Sequence, residues 1–331
     1  MAYQKVFKRY ELKYMLTQDQ KERILKAMEP YMMLDKFGRS TIRNIYFDTD
    51  DYILARHSIA KPDYKEKLRI RSYSRVEGND KVFVELKRKY DHVVYKRRIA
   101  LPETDAMAWT TGARRMTSLN DLAADAAGTA AGSIRPVIED NTPQLSDEIN
   151  YFLDYYKDLR PAVFLSYDRE AYKMRKGASD ADGGSDFRVT FDENILCRDY
   201  DLSLRSDVYG TPVLQQGKVL MELKCSGGIP LWMVKVLSEE KVYKTSFSKY
   251  GTAYTNMILP ELLAAAHAAQ AADERDALAA KSASESVKGS RSSRNGENSA
   301  ASGRHGKHSQ RRWFGGGRIA GSQLFFSRRT A

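Results

Sequence analysis

Apolar and polar residues alternate with a period of two along much of this chain. The pattern predicts strands over 6–14, 42–48, 66–74, 81–89, 93–101, 162–172, 186–192 and 219–225. Helical spacing interrupts them. "TQDQKERILKAMEPYM" opens on Thr17 with Gln20 three residues on, a capping-box pattern, and sets Ile24, Leu25 and Met28 on one face. "LSDEINYFLDYYKDL" gathers Ile149, Phe152, Leu153, Tyr156 and Leu159 on one stripe. With a weaker helical pattern over 105–128 it forms a helical insertion of about 105–160. "PLWMVKVLSEE" predicts a short helix, and a last one covers 248–266. "YDHVV" and "DADGGSD" read as hairpin connections, Gly183 and Gly184 being able to take positive φ. Gly132 to Pro143 reads as a loop. With no internal repeat, the expected class is α+β, one strand-rich domain with helical additions.

The polar positions carry the more specific signal. In "KEKLRIRSYS", Lys65, Lys67, Arg69 and Arg71 share one strand face, opposite Glu66, Leu68 and Ile70. Arg9, Glu11 and Lys13 do the same in "KRYELKY", and Glu85, Lys87 and Lys89 in "VFVELKRK". Lys96 pairs with Arg98, Arg188 with Thr190 and Asp192, and Glu222 with Lys224. A wet sheet face also alternates, but usually with Thr, Ser and Gln among its charges. Here Lys and Arg dominate, so we expect an antiparallel β tunnel or barrel with a charged lumen and flanking helices. Unpaired buried charges cost several kcal/mol each, by an order-of-magnitude estimate. A compensating polyanion, a chain of phosphates, is therefore expected inside.

Composition refines this picture. Of 331 residues, 54 are Lys or Arg and 43 Asp or Glu, a net charge of +11. From Ala264 onward twelve basic residues face five acidic ones in a run of Ala, Ser, Gly and Arg, so the body is nearly balanced. That end, 264–331, is expected to be a disordered basic tail able to bind polyanions, following a domain of residues 1–263. Two cysteines without metal spacing fit a reduced, cytoplasmic chain. No signal-peptide core and no run of about 18 apolar residues is present, so no membrane span is expected.

These motifs, taken in order, resemble the triphosphate tunnel metalloenzymes (CYTH-like), and within them the polyphosphate polymerase (VTC) domain. The likeness covers about residues 3–258 through "FKRYELKY", "RNIYFDT", "KLRIRSY", "VFVELKRK", "YKRRIAL", "YDREAY", "DFRVTFD", "LMELK" and "SFSKYGTAY". It implies that Arg9 and Lys13 are the first-strand basic pair and that Arg69 and Arg71 grip nucleotide phosphates. Lys87, Lys96, Arg169 and Arg188 match further tunnel cations. Arg169 rests on the resemblance alone, because its strand face also carries Leu165 and Tyr167. Glu222 resembles the carboxylate that holds Mn2+ or Mg2+, with Glu11 and Glu85 as further carboxylates. Ser248 and Lys249 resemble a phosphate-contacting pair. By position on the charged faces, Lys67 and Arg98 join the phosphate-binding set.

Hydrolytic and cyclase relatives begin with an E-x-E-x-K strand, where this chain has Arg9-Tyr10-Glu11-Leu12-Lys13. A cation at the first position weakens a metal site and favours the polymerase branch. Ser246 stands where eukaryotic polymerases carry a lysine, with Lys244 nearby. The likeness starts almost at Met1, which implies a stand-alone, bacterial-type form without a preceding SPX domain. The implied activity is transfer of the ATP γ-phosphate to a growing polyphosphate chain. Two readings stay open beside it: a tripolyphosphate or polyphosphate hydrolase, and a non-catalytic polyphosphate-binding module. ATP and polyphosphate are the expected partners, and export of product would need a separate membrane protein. No Walker A motif and no sequence-specific nucleic-acid signature occurs. Asp48 and Asp50 are expected to fold a turn rather than hold a metal.

Overall fold

The computed structural model of the chain describes residues 10–91, 93–116, 142–175 and 186–292. Arg9, Gly183, Gly184 and most of the stretch from Gly132 to Pro143 lie outside the described residues.

The alternating segments form β1 (Tyr10–Thr17), β2 (Met32–Asp48), β3 (Tyr64–Ser72), β4 (Lys81–Tyr90), β5 (Val93–Pro102), β6 (Arg160–Met174), β7 (Arg188–Arg198), β8 (Thr211–Pro212), β9 (Lys218–Cys225) and β10 (Lys244–Thr245). All pair antiparallel in the order β10-β1-β9-β7-β6-β2-β3-β4-β5, with β8 on β7. Among the described residues no ladder joins β5 to β10. The sheet is nonetheless rolled into a tunnel. Five strands separate β4 from β1 in the order, yet Lys87 on β4 reaches Glu11 on β1 at 3.1 Å. Register breaks at Leu34/Arg39 and Tyr46/Phe47 in β2, and at Ser166/Asp168 between β6 and β7, supply the bending a rolled sheet requires.

Helices α1 (Gln18–Met28), α2 (Ile53–Ala60), α3 (Glu103–Thr110), α4 (Thr142–Tyr155), α5 (Leu231–Glu239) and α6 (Lys249–Ala253) follow in chain order, then a π-helical turn (Tyr254–Ile258) and α7 (Leu259–Ser292). The Thr17–Gln20 capping box is present in full, each side chain accepting from the other's backbone N–H. Apolar strand faces point away from the lumen into two cores. Leu68, Ile70, Val84, Leu86 and Ile99 pack with Trp109 of α3 and with Ile149 and Phe152 of α4. Val189, Phe191, Met221 and Leu223 pack with Ile24 and Met28 of α1 and Met233 of α5. A third core gathers Tyr46, Tyr167 and Leu220 with Tyr250, Tyr254 and Ile258.

Three segments differ from their sequence patterns. Residues 32–41 are strand although "MMLDKFGRST" has no alternation, because pairing to β6 supplies the ladder. Helix α3 ends at Thr110, and the rest of the 105–128 pattern beyond residue 116 lies outside the described residues. The last helix runs to Ser292 instead of ending at about 266. Alanine has the highest intrinsic helix propensity and needs no apolar burial to use it. Compactness divides the chain into Met1–His267, which holds the whole sheet, and Ala268–Ala331. Among the described residues no helix is long and apolar enough to cross a membrane.

Candidate functional site

The pleat sets every second residue of β3, β4 and β5 on the lumen face, and register then places like charges side by side. Lys65 lies opposite Lys89, while Lys67, Lys87 and Lys96 stand abreast across three strands. Directly opposed like charges destabilise a sheet. One row on, Arg69, Glu85 and Arg98 align. The Glu85 side chain is fully buried and has four cations around it: Arg69 at 2.8 Å, Lys96 at 2.7 Å, Arg98 at 3.3 Å and Arg71 at 3.7 Å. Burial alone would raise its pKa, but Arg69, Arg71 and Lys96 hold it well below the carboxylate range. Arg69 also donates to the Tyr46 hydroxyl at 2.8 Å. Arg71 donates to Asn44 Oδ1 at 2.9 Å and to the Tyr167 hydroxyl at 3.0 Å. Both guanidinium planes are thereby fixed.

A second cluster forms where β1, β6, β7 and β9 meet α6. Arg169 donates twice to Asp192, at 2.6 and 2.7 Å, in the bidentate geometry that suits arginine. Lys249 lies 2.5 Å from Asp192 and 3.3 Å from Glu222. Lys224, Arg169 and Lys13 stand 3.1, 3.5 and 3.7 Å from Glu222. Burial would raise the Glu222 pKa, yet these cations, Lys249 first, keep it well below normal. Burial likewise opposes the charge of Lys249, but Asp192 and Glu222 outweigh it and raise the pKa. Glu11 is held down chiefly by Lys87.

The two clusters together carry Lys13, Arg69, Arg71, Lys87, Lys96, Arg98, Arg169, Lys224 and Lys249 against Glu11, Glu85, Asp192 and Glu222. Lys65, Lys67 and Lys89 add charge without a salt-bridge partner among the described residues. Lys67 donates to the neutral Ser248 hydroxyl at 2.9 Å. Burial, then Lys13, Lys87, Lys65 and Arg69, drives its pKa well below normal. Burial also pushes Lys96 down to about 7, with Arg69 and Arg71 adding to the effect and Glu85 opposing it. Ser248 is the N-cap of α6, accepting from Gly251 N at 3.0 Å, so this helix start aims both Ser248 and Lys249 into the lumen.

Lys13, Lys67, Arg69, Arg71, Lys87, Lys96, Arg98, Arg169, Glu222, Ser248 and Lys249 thus converge on one lumen. Arg188 stands directly opposite Lys224 across β7 and β9, on the same sheet face; it pairs with Asp35 at 2.9 Å and lines a cavity of about 310 Å3 with Phe37 and Lys173. Arg9 lies outside the described residues. Asp48 is structural, accepting from the N–H groups of Thr49, Leu54 and Ala55 and from the Tyr250 hydroxyl. The sequence pattern set Asp192 on the charged face without a partner, and gave no role to Asn44, Tyr46 or Tyr167. The same period of two in "RNIYFD" puts Asn44 and Tyr46 on the face of Asp48 and would have found two of them.

Among the described residues no three His, Cys, Asp or Glu side chains are grouped to hold a metal ion. Glu222 has four cations within 3.7 Å, and Lys13 bridges it to Glu11. Such a donor set fits a divalent ion only when phosphate oxygens complete its shell and offset its charge. Glu85, saturated by Arg69, Lys96 and Arg98, is a counter-ion rather than a metal ligand.

A sequence profile of the VTC domain matches residues 8–258. A comparison with the curated proteins found no match. Among solved structures, a Bacillus halodurans protein proposed to be an adenylate cyclase is 13% identical, with a TM-score of 0.39, over 73% of this chain and 95% of its own. A Pyrococcus horikoshii protein is 13% identical, with a TM-score of 0.33, over 76% of this chain and 99% of its own.

Proposed function

The chain belongs to the VTC domain family, and from that premise we propose that it is an ATP-dependent polyphosphate polymerase acting in its basic tunnel. The observation that carries the reading is the lumen's surplus of cations: Lys67, Lys87 and Lys96 stand abreast, with Glu11 beside Lys87, Glu85 beside Lys96 and, among the described residues, no carboxylate on Lys67. A chain of phosphates satisfies such a row, and a protein ligand of mixed charge does not.

Phosphoryl transfer asks the protein mainly for positioning and charge neutralisation. Arg69 and Arg71, locked by Tyr46, Asn44 and Tyr167, would hold the nucleotide phosphates in fixed directions. The lysine row, with point-charge ammonium groups on flexible stems, would carry the polyphosphate chain and let it slide. A terminal phosphate oxygen of that chain attacks the γ-phosphorus of ATP. The bond to the β,γ-bridging oxygen breaks, its electron pair leaves with ADP, and the chain is one unit longer. The attacking oxygen is already anionic, so no serine or cysteine nucleophile is required. Lys249, Arg169 and Lys13 lie where charge on the transferred group would need neutralising. Glu222, with Glu11, would hold Mn2+ or Mg2+ arriving with the phosphates, and the ion would supply further charge neutralisation.

The test is incubation of the full chain with ATP, Mn2+ and a short polyphosphate primer, with products resolved on a urea gel. A lengthening ladder matched by ADP is expected. Orthophosphate without a ladder would reassign the tunnel to hydrolysis, and binding without turnover would reduce it to a polyphosphate holder. The basic tail as a polyanion contact and a membrane protein as export partner remain parts of this proposal.

A further inference from the structure

The lumen accounts for phosphates but not for two aromatic rings beside it. Phe37 is 65% exposed and Tyr73 40% exposed, yet their rings are within 18° of parallel with centroids 6.5 Å apart. Phe37 lies in the bulged stretch of β2 between Leu34 and Arg39, where pairing to β6 lapses. Asp35 fixes that bulge by accepting from the N–H groups of Phe37 and Gly38 at 2.8 and 3.2 Å. Bulges commonly re-aim a side chain beside a site. Lys36 holds its ammonium 5.0 Å from the Phe37 centroid.

Tyr73 is tied directly to the phosphate machinery. Its hydroxyl accepts from Arg98 at 2.8 Å, Arg98 reaches Glu85 at 3.3 Å, and Glu85 holds Arg69. Arg98 also lies 3.5 Å above the Phe83 ring, which meets Tyr73 edge-on. Phe37 in turn lines the 310 Å3 cavity, which is within the size range of small-molecule pockets. A phosphate chain has no flat apolar face, so these rings offer it nothing. A nucleobase has two such faces, and stacking on aromatic side chains is how proteins hold bases without reading their edges.

We propose that Phe37 and Tyr73 form the nucleobase platform of the tunnel, holding the base of a nucleoside triphosphate whose phosphates reach inward past Arg98 to Arg69. This rests on the phosphate-binding reading above. The platform makes the nucleotide, rather than free tripolyphosphate, the preferred ligand at this end. Selectivity among bases is low, because stacking tolerates any ring.

The experiment compares ATP with tripolyphosphate on the full chain at one ionic strength, by calorimetric titration of wild type, Phe37→Ala, Tyr73→Ala and Phe37→Trp. ATP is expected to bind more tightly than tripolyphosphate to the wild type. Phe37→Ala should weaken ATP by about 5- to 150-fold while tripolyphosphate binding holds, and Tyr73→Ala, which also frees Arg98, should weaken ATP by a larger factor than tripolyphosphate. Phe37→Trp should retain ATP, which a loss through misfolding would not allow. Unchanged ATP affinity in both alanine variants overturns the platform and leaves the tunnel reading intact. Equal loss of ATP and tripolyphosphate also overturns it, since the rings would then act on the lumen as a whole. Failure of both ligands to bind the wild type overturns this proposal and the phosphate reading together.

Discussion

The two faces of strands β3, β4 and β5 solve opposite problems with the same residue types. On the outer face Arg88 bridges Glu66 at 2.6 Å and Glu148 of α4 at 2.9 Å, and Arg97 meets Glu148 at 2.9 Å. Two arginines and two glutamates close a balanced network. On the lumen face Lys65, Lys67, Lys87, Lys89, Arg69, Arg71, Lys96 and Arg98 share Glu85 and, from β1, Glu11. A charged strand face therefore says little until its partners are counted. Balance marks an element fastening itself to a neighbour; surplus marks one prepared for something that arrives later.

The sharpest way to break this contrast is to remove one arginine from each face. Arg69→Ala or Arg71→Ala takes away a fixed guanidinium from a group that outnumbers its carboxylates. Loss of one charge-assisted contact set of about 1.5–3 kcal/mol predicts roughly 10- to 100-fold weaker tripolyphosphate binding, with thermal stability nearly unchanged. Arg88→Ala should leave binding within about twofold and lower stability by about 1 kcal/mol, as expected of a partly exposed network. Titration calorimetry and thermal melts on the same samples read both. If Arg88→Ala weakened binding as much as Arg69→Ala, the division between faces would be wrong.

A smaller effect sharpens the lumen side. Glu85 is the fully buried carboxylate that offsets the charges of Arg69 and Arg98, and it lies 2.7 Å from Lys96. Glu85→Gln removes a buried partner, a change that typically costs about 3–5 kcal/mol, moderated here because Lys96 and Arg98 are partly exposed. Added polyphosphate should restore most of that stability by supplying the missing negative charge, beyond the ordinary shift from ligand binding. A melting curve that polyphosphate raises equally in wild type and variant would contradict the counter-ion role.

The rolled antiparallel sheet was legible because the period of two survives in nearly every strand, and the charged lumen because those positions are Lys and Arg rather than Thr and Ser. Arg69, Arg71, Lys87 and Glu222 could be found on that basis or by family likeness. Less visible was everything that depends on register and curvature. Lys67, Lys87 and Lys96 are neighbours only because three ladders align them, and Lys87 meets Glu11 only because the sheet rolls through five intervening strands. Alternation put Asp192 on the charged face, but its partner Lys249 is 57 residues distant and enters from a helix cap, so the pair was not visible. Arg188 keeps the face that alternation gave it, opposite Lys224, but its partner Asp35 is brought by a bulge in β2 that no pattern in the sequence announces.

The finest distinction between the faces is in their response to pH. Burial in the cationic lumen moves Lys96 from 10.5 to about 7. In the unfolded chain it keeps its proton up to about 10.5, so between these values the unfolded state binds more protons than the folded one. Stability of the empty protein should therefore rise with pH across that window, the cost of the charged lumen being fully present below 7. Ligand affinity should move the other way. Phosphates favour the protonated lysine, so binding is strongest below 7 and weakens above it by up to about tenfold per pH unit for each proton taken up. Lys96→Arg keeps its charge throughout and should remove one proton's share of the dependence. Binding of internal polyphosphate units, measured from pH 6.5 to 9 in both proteins, decides the matter: parallel curves would mean that the lysine row is already fully charged when empty, and that the surplus on this face is tolerated rather than relieved by losing protons.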